Sequence, residues 1–202
     1  MPRKIILVRH GESEGNVDWN VMAYKPDEKL ELTPKGRQQA LEAGKIIRAH
    51  VKEGDRVRFY VSPYLRTRQT FHSIATFFGG TECVSAFEEP RLREQDWGNF
   101  QNFVEMEAIK AERRRYGTFF YRVPHGESGA DVYDRISTFL ESLYRSLLTK
   151  PSPPSVVVIV THGLLARLFV MRWFRKSVSE FESWRNLNNC EVLVMERNDE
   201  QR

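Results

Sequence analysis

The hydrophobic pattern opens with "KIILV", residues 4–8, an apolar run that stops at "RHG". A run this short, β-branched and apolar at consecutive positions, predicts a strand buried on both faces. From residue 32 the period changes. In "LTPKGRQQALEAGKIIRAHV" apolar residues recur at Ala40, Leu41, Ile46 and Ile47, Thr33 is placed to cap, and Pro34 takes the first helical position. "RVRFYVSP" (56–63) predicts a second strand stopped by Pro63, and "YLRTRQTFHSIATFF" (64–78) a second helix ended by the glycine pair at 79–80. "TECVSAFEE" (81–89) reads as a third strand, and "NFVEMEAIKAERRRYG" (102–117) and "ADVYDRISTFLESLYRSLL" (130–148) as helices. "VVVIVTHG" (156–163) is the most strand-like run and predicts a central parallel strand. "LLARLFVMRWF" (164–174) then reads as a helix and "CEVLVMER" (190–197) as a last strand. "KPSPPS" (150–155) is too short to divide domains and reads as a surface turn. Strands alternating with helices predict an α/β protein: a three-layer α/β/α sandwich with a mostly parallel central sheet, in one domain spanning 1–202.

Composition adds bounds. With 202 residues, 41% of them apolar, the chain supports one sizeable core. Its apolar runs fall short of the ~18 residues of a membrane span, and "MPRK" lacks a signal-peptide layout. Cys83 and Cys190 stand in no C-x-x-C or C-x-x-H pattern, which fits a reducing compartment, and a cytoplasmic location is expected. A net charge of +4 mildly favours anionic partners. The most basic run, "ERRRY" (112–116), reads as a solvated helix face, and without an aromatic ladder beside it no nucleic-acid partner is expected.

In parallel sheets ligands collect at the carboxyl ends of strands. Three such ends carry chemistry here: "VRHG" (8–11), "VSPYLRTR" (61–68) and "VTHG" (160–163). At the first, two readings compete. "GESEG" (11–15) fits the G-x-S-x-G pattern of a serine hydrolase, with Ser13 as nucleophile. Yet His10 closes the strand, Ser13 comes three residues later, and the strand is the first of the chain rather than a central late one. The histidine reading accounts for more residues. A glycine after each histidine lets a bulky anion approach the backbone, and Arg9 and Arg66 offer planar forks that match phosphate oxygens.

With "RHGESEGN" (9–16), "LTPKG" (32–36), "SPYLRTRQT" (62–70), "LREQDWG" (92–98), "PHGES" (124–128) and "VTHG" (160–163) in order along most of the chain, the sequence resembles the histidine phosphatase, or phosphoglycerate-mutase-like, superfamily. "LREQDWGNFQ" together with "RRYGTFFYR" resembles its eukaryotic phosphoglycerate-mutase-like branch. The resemblance implies that His10 accepts the phosphoryl group. It implies that Arg9, Arg66 and His162 form the phosphate pocket, and that Ser13 and Asn16 touch the phosphate or nearby substrate atoms. Glu94 is then the proton donor. No metal or other cofactor is expected.

His10 should be neutral, with one ring nitrogen in line and the other donating to a backbone carbonyl near Gly11. Several residues are weaker candidates. His125 faces the substrate or is an exposed loop residue. Glu127 and Ser128 start the long helix. Tyr24 and Trp97 contact a leaving group or simply pack, Trp19 has no assigned role, and turn chemistry explains Asn188 and Asn189.

Three functions stay open. The first is a phosphatase acting on a phosphorylated small molecule or phosphoprotein. The second is a phosphoglycerate mutase, and the third a non-catalytic phosphate-binding module. The interval 99–123 is short, where cofactor-dependent mutases of the family carry a longer basic insertion, and the chain ends soon after its last strand. A helical insertion over 99–125 and a water-accessible site are therefore expected, which favours hydrolysis. Arg113, Arg114 and Arg115 resemble a carboxylate clamp and keep the mutase open. Gln101 stands where the commoner small phosphatases often carry Glu.

Overall fold

Strand β4 (Val156–Thr161) is buried at every position, as an unbroken run of β-branched residues requires of a strand covered on both faces. In the computed structural model of the protein, which describes residues 1–98, 103–149 and 152–198, β4 is the centre of a five-stranded sheet. The other strands are β1 (Lys4–Arg9), β2 (Val57–Val61), β3 (Ser85–Glu88) and β5 (Val192–Glu196), in the order β3-β2-β4-β1-β5. β1 and β2 flank β4 in parallel, β3 extends β2 in parallel, and β5 runs antiparallel outside β1. The expected mostly parallel sheet is what forms.

The two faces follow from the strand period of two. Ile6, Val8, Val158 and Val160 pack in one cluster with residues of α2 (Pro34–Ala49) and α3 (Leu65–Ala75), including Ala40, Ile47, Phe71 and Ile74. Ile5, Leu7, Val157 and Ile159 pack in a second cluster with α5 (Gly129–Thr149) and α6 (Gly163–Trp173), through Ile136, Phe139, Leu168 and Phe169. A one-residue register slip would exchange the two sets. Each such aliphatic side chain contributes about 1.5–3 kcal/mol by burial.

Two glycines let α2 press against the loop after β1. A Cβ at Gly36 would sit 2.0 Å from the Glu12 carbonyl oxygen, and one at Gly11 would sit 2.3 Å from that of Gly36. Thr33 caps the same helix, its Oγ1 accepting from the Gly36 N–H at 3.0 Å.

Some elements depart from the sequence reading. The third strand is only Ser85–Glu88, because Gly79 and Gly80 turn at positive φ and Thr81–Cys83 forms a 3-10 turn before β2 offers partners. The helix expected from residue 102 is α4 (Phe103–Tyr116); residues 99–102, Gln101 among them, lie outside the described residues, as do 150 and 151 of "KPSPPS". Two short helices were not anticipated: α1 (Glu14–Val17) and α7 (Val178–Ser183). The signal for α7 was present, since Ser177 and Glu180 form a capping box.

Candidate active site

Strand register assembles the site. β1 and β4 pair Arg9 with Thr161, so the next residues, His10 and His162, leave the sheet side by side. Their ring centroids are 5.2 Å apart. β2 pairs Val61 with Val160, which brings Ser62 beside His162, its Oγ 2.8 Å from Nε2.

His10 is buried. Its Nδ1 lies 2.7 Å from the Gly11 carbonyl oxygen, so Nδ1 carries the proton and donates, and Nε2 keeps its lone pair. Nε2 accepts from Arg66 Nε at 3.2 Å. Burial, then the charges of Arg66 and Arg9, pull the imidazole pKa well below its ordinary value. The ring is therefore neutral at pH 7, as a nucleophile must be. His162 is shifted in the same direction, again by burial first and then by Arg66. The Tyr64 N–H approaches Ser62 Oγ at 3.5 Å, and that hydroxyl shares a hydrogen bond with His162 Nε2, so Nδ1 is the ring nitrogen left over. That Nδ1 is buried without a protein partner, 3.7 Å from Glu94 Oε2.

Arg9 donates one Nη to the Leu187 carbonyl at 2.7 Å, and its Nε is buried and unpaired. Arg66 is gripped more firmly. Its Nη1 donates to the Asp27 carbonyl (2.7 Å) and Oδ1 (2.8 Å), and its Nη2 to Oδ2 (3.3 Å), leaving the Nε edge toward His10. Asp27 was not a sequence candidate: "KPDEK" is a polar loop without a pattern, and only folding sets this carboxylate against Arg66.

Glu94 sits on a segment that other side chains hold. Arg135 donates to the carbonyls of Arg91 (2.6 Å), Arg93 (3.0 Å) and Glu94 (3.0 Å). Glu127 accepts from Arg93, Arg135 and the Asp96 N–H. Glu127 thus anchors the Glu94 segment rather than starting the long helix, which Ser128 caps through the Asp131 N–H. The Glu94 carboxyl is raised above its ordinary pKa, by burial first, with Asp27 adding to it and Arg66 and Arg9 opposing it. An elevated carboxylic acid suits proton donation.

Arg9, His10, Ser13, Asn16, Arg66 and Glu94 line one cavity of about 200 Å³; His162 does not line it and reaches it only through Glu94, 3.7 Å from its Nδ1. Ser13 is buried and begins α1, its Oγ donating to Asn16 Oδ1 at 3.2 Å. Among the described residues no imidazole partners that hydroxyl, as activation of a serine nucleophile requires. Asn16 Oδ1 also accepts from the Ser13 N–H and from Asn189 Nδ2, so its amide group is left for the cavity. Asn189 donates to the His10 carbonyl as well, at 3.1 Å, and so does more than shape a turn.

His125 is not brought to the cavity. It sits exposed at φ 60 in a tight turn closed by the Gly126 N–H on the Val123 carbonyl, which directs it outward. Tyr24 is 77% exposed and borders a neighbouring groove, whereas Trp19 and Trp97 line the cavity, edge to face. The basic run divides. Arg114 and Arg115 are exposed as a solvated face would be, but Arg113 turns into the cavity wall, its guanidinium 4.9 Å from the Trp97 ring. Arg167 of α6, which the sequence did not single out, lines the same wall.

The chain is similar to several known proteins. The model of the histidine phosphatase superfamily (branch 1) matches residues 5–202. The chain is 48% identical over 209 residues to the phosphoglycerate mutase-like protein AT74H of Arabidopsis thaliana, covering 97% of this chain and 74% of that protein. It is 32% identical over 285 residues to the broad-range acid phosphatase DET1 of Saccharomyces cerevisiae, covering 96% and 85%. Among solved structures, a mycobacterial glucosyl-3-phosphoglycerate phosphatase shares the fold, with a TM-score of 0.72 at 22% identity, over 95% of this chain and 89% of that one.

Proposed function

Because the chain belongs to branch 1 of the histidine phosphatase superfamily, we propose that it is a phosphomonoesterase working through a phosphohistidine on His10. The observation that carries this reading is the bond from His10 Nδ1 to the Gly11 carbonyl, which leaves Nε2 as a lone-pair nitrogen among cationic donors. Phosphoryl transfer depends mainly on positioning and charge stabilisation. The phosphate meets Arg9 and Arg66, and the Arg66 Nε–H passes from His10 to a phosphate oxygen. Nε2 then forms a bond to phosphorus as the ester P–O bond breaks. The electron pair leaves on the ester oxygen, which takes the Glu94 proton. In the second half Glu94, now a carboxylate, takes a proton from water. The water oxygen bonds to phosphorus, the N–P bond breaks, and inorganic phosphate leaves with His10 neutral again. The proton on Nδ1 stays on the ring throughout, donated to the Gly11 carbonyl.

A second reading, return of the phosphoryl group to a substrate hydroxyl as in a mutase, is favoured by one observation: Arg113 faces the cavity. A phosphoenzyme trap tests both. Labelled aryl phosphate quenched in alkali should leave an acid-labile, alkali-stable label that His10→Ala lacks. Water and 3-phosphoglycerate are then compared as acceptors. No label and no turnover across a panel of monoesters would support the binding-module reading instead. The reading needs no metal, and it includes a cytoplasmic location, which Cys83 and Cys190, both free thiols, support; separately, among the described residues no helix is long and apolar enough to cross a membrane.

A further inference from the structure

We propose that Asn189, in the turn before β5, is a positioning residue for the phosphate pocket: it fixes the Asn16 side chain so that a donor, and not an acceptor, faces the phosphoryl group. The inference rests on the phosphomonoesterase reading and adds to it a residue that touches none of the reacting atoms.

The polarity of the contacts sets each amide in turn. The His10 carbonyl can only accept, and Asn189 Nδ2 lies 3.1 Å from it. Asn189 therefore turns its NH2 group toward His10, and the same nitrogen reaches Asn16 Oδ1 at 3.0 Å. The Ser13 N–H, which can only donate, meets that oxygen at 3.1 Å. The Ser13 hydroxyl, at 3.2 Å, can serve either amide orientation and so does not decide between them. Two obligate donors thus hold Asn16 Oδ1 away from the cavity that Asn16 lines, and Nδ2 is left to face it. A flipped Asn16 would set its NH2 group against both donors and offer an oxygen to a phosphate oxygen.

The turn that carries Asn189 is itself tied to the end of β1. The Leu187 carbonyl accepts from Arg9 Nη1 at 2.7 Å, and the Cys190 N–H donates to the carbonyls of Arg9 (3.1 Å) and His10 (3.3 Å). The Glu191 N–H closes the turn on the Asn188 carbonyl at 3.0 Å. Cys190 takes φ 57, a left-handed backbone that a non-glycine residue keeps only where its surroundings hold it. At the other end of the His10–Gly11 peptide, the Gly11 N–H donates to Thr70 Oγ1 at 3.1 Å, whose own proton goes to the Arg66 carbonyl at 2.7 Å. Without Asn189 the His10 carbonyl keeps Cys190, and its peptide keeps Thr70. The nucleophile stays in place, and what is lost is the aim of Asn16.

The test is Asn189→Leu, which keeps a similar shape and removes the donor. KM for an aryl phosphate is expected to rise about tenfold, the size of a hydrogen bond to a charged group, with kcat within about twofold. Binding of inorganic phosphate, read by calorimetry, should weaken by the same factor. In Asn16→Ala the same substitution should change either quantity by about twofold at most, because the amide it aims is gone. Asn189→Asp, which sets a carboxylate against Asn16 Oδ1, should weaken phosphate binding more than leucine does. Asn188→Ala, exposed in the same turn, should match the native protein. If the leucine variant does not fold, Asn189→Ala takes its place with the same expectation. Calorimetry needs no turnover, so a chain that binds phosphate without hydrolysing it still tests Asn189. Unchanged phosphate binding in Asn189→Leu, equal losses with and without the Asn16 side chain, or a loss confined to kcat would overturn the proposal.

Discussion

Asp27→Asn probes the orientation of Arg66. Arg66 reaches the carboxylate through Nη1 at 2.8 Å and Nη2 at 3.3 Å, and the residue-27 carbonyl through Nη1 at 2.7 Å. The amide keeps the backbone contact and one side-chain acceptor. It loses the charge and sets an NH2 group against a guanidinium N–H. A hydrogen bond to a charged group is worth about 1.5–3 kcal/mol. The Asp27 side chain is 29% exposed against 5% for Arg66, so solvent screening reduces this toward about 1.4 kcal/mol, or tenfold. The expected result is a loss of about tenfold in kcat/KM for an aryl phosphate. The variant should also move the alkaline limb of the kcat/KM profile. That limb reports loss of the Glu94 proton from the free enzyme. Asp27 raises the Glu94 pKa and Arg66 lowers it. Removing the Asp27 charge therefore shifts the limb to lower pH. An unchanged kcat/KM with an unmoved limb, or a limb moved to higher pH, would refute the assigned geometry.

The other predictions concern the same machinery. His10→Ala should abolish turnover and the acid-labile label; normal activity in that variant would exclude the mechanism. Glu94→Gln should slow substrates with poor leaving groups most and flatten the alkaline limb, read by comparing nitrophenyl and alkyl phosphates across pH. The pKa of His162 is depressed in the folded protein, so the unfolded chain binds more protons as pH falls below about 6.5 and stability declines there. Glu94, raised when folded, has the opposite sign, so the native and His162→Asn melting profiles must be subtracted, and the difference should shrink with falling pH. Gly36→Ala should lower the melting temperature, by about 3 kcal/mol or more in stability, because its Cβ would meet the Glu12 carbonyl at 2.0 Å; an unchanged melting temperature would show that the helix and loop can part freely.

The alternation of "KIILV" and "VVVIVT" with helical stretches was enough to predict a mostly parallel sheet with the second run at its centre, because period and burial are local properties of the sequence. It also placed His10, Ser62 and His162 at strand ends, and a parallel sheet carries such ends to one edge. Other features depended on three-dimensional placement. Consecutive helical residues point about 100° apart, so Arg113, Arg114 and Arg115 cannot share one direction, but their identity as three arginines does not say whether any turns inward or which. His125 is turned away by a left-handed backbone that a flanking Pro and Gly permit without requiring. Asp27 lies in a segment with no motif, and it matters only because Arg66 arrives beside it from a distant part of the chain. The sequence by itself determined the mostly parallel sheet, its longer helices and the placing of His10 at a strand end. The tertiary structure alone decided which charges meet around that histidine, because electrostatic partners are chosen by distance in space.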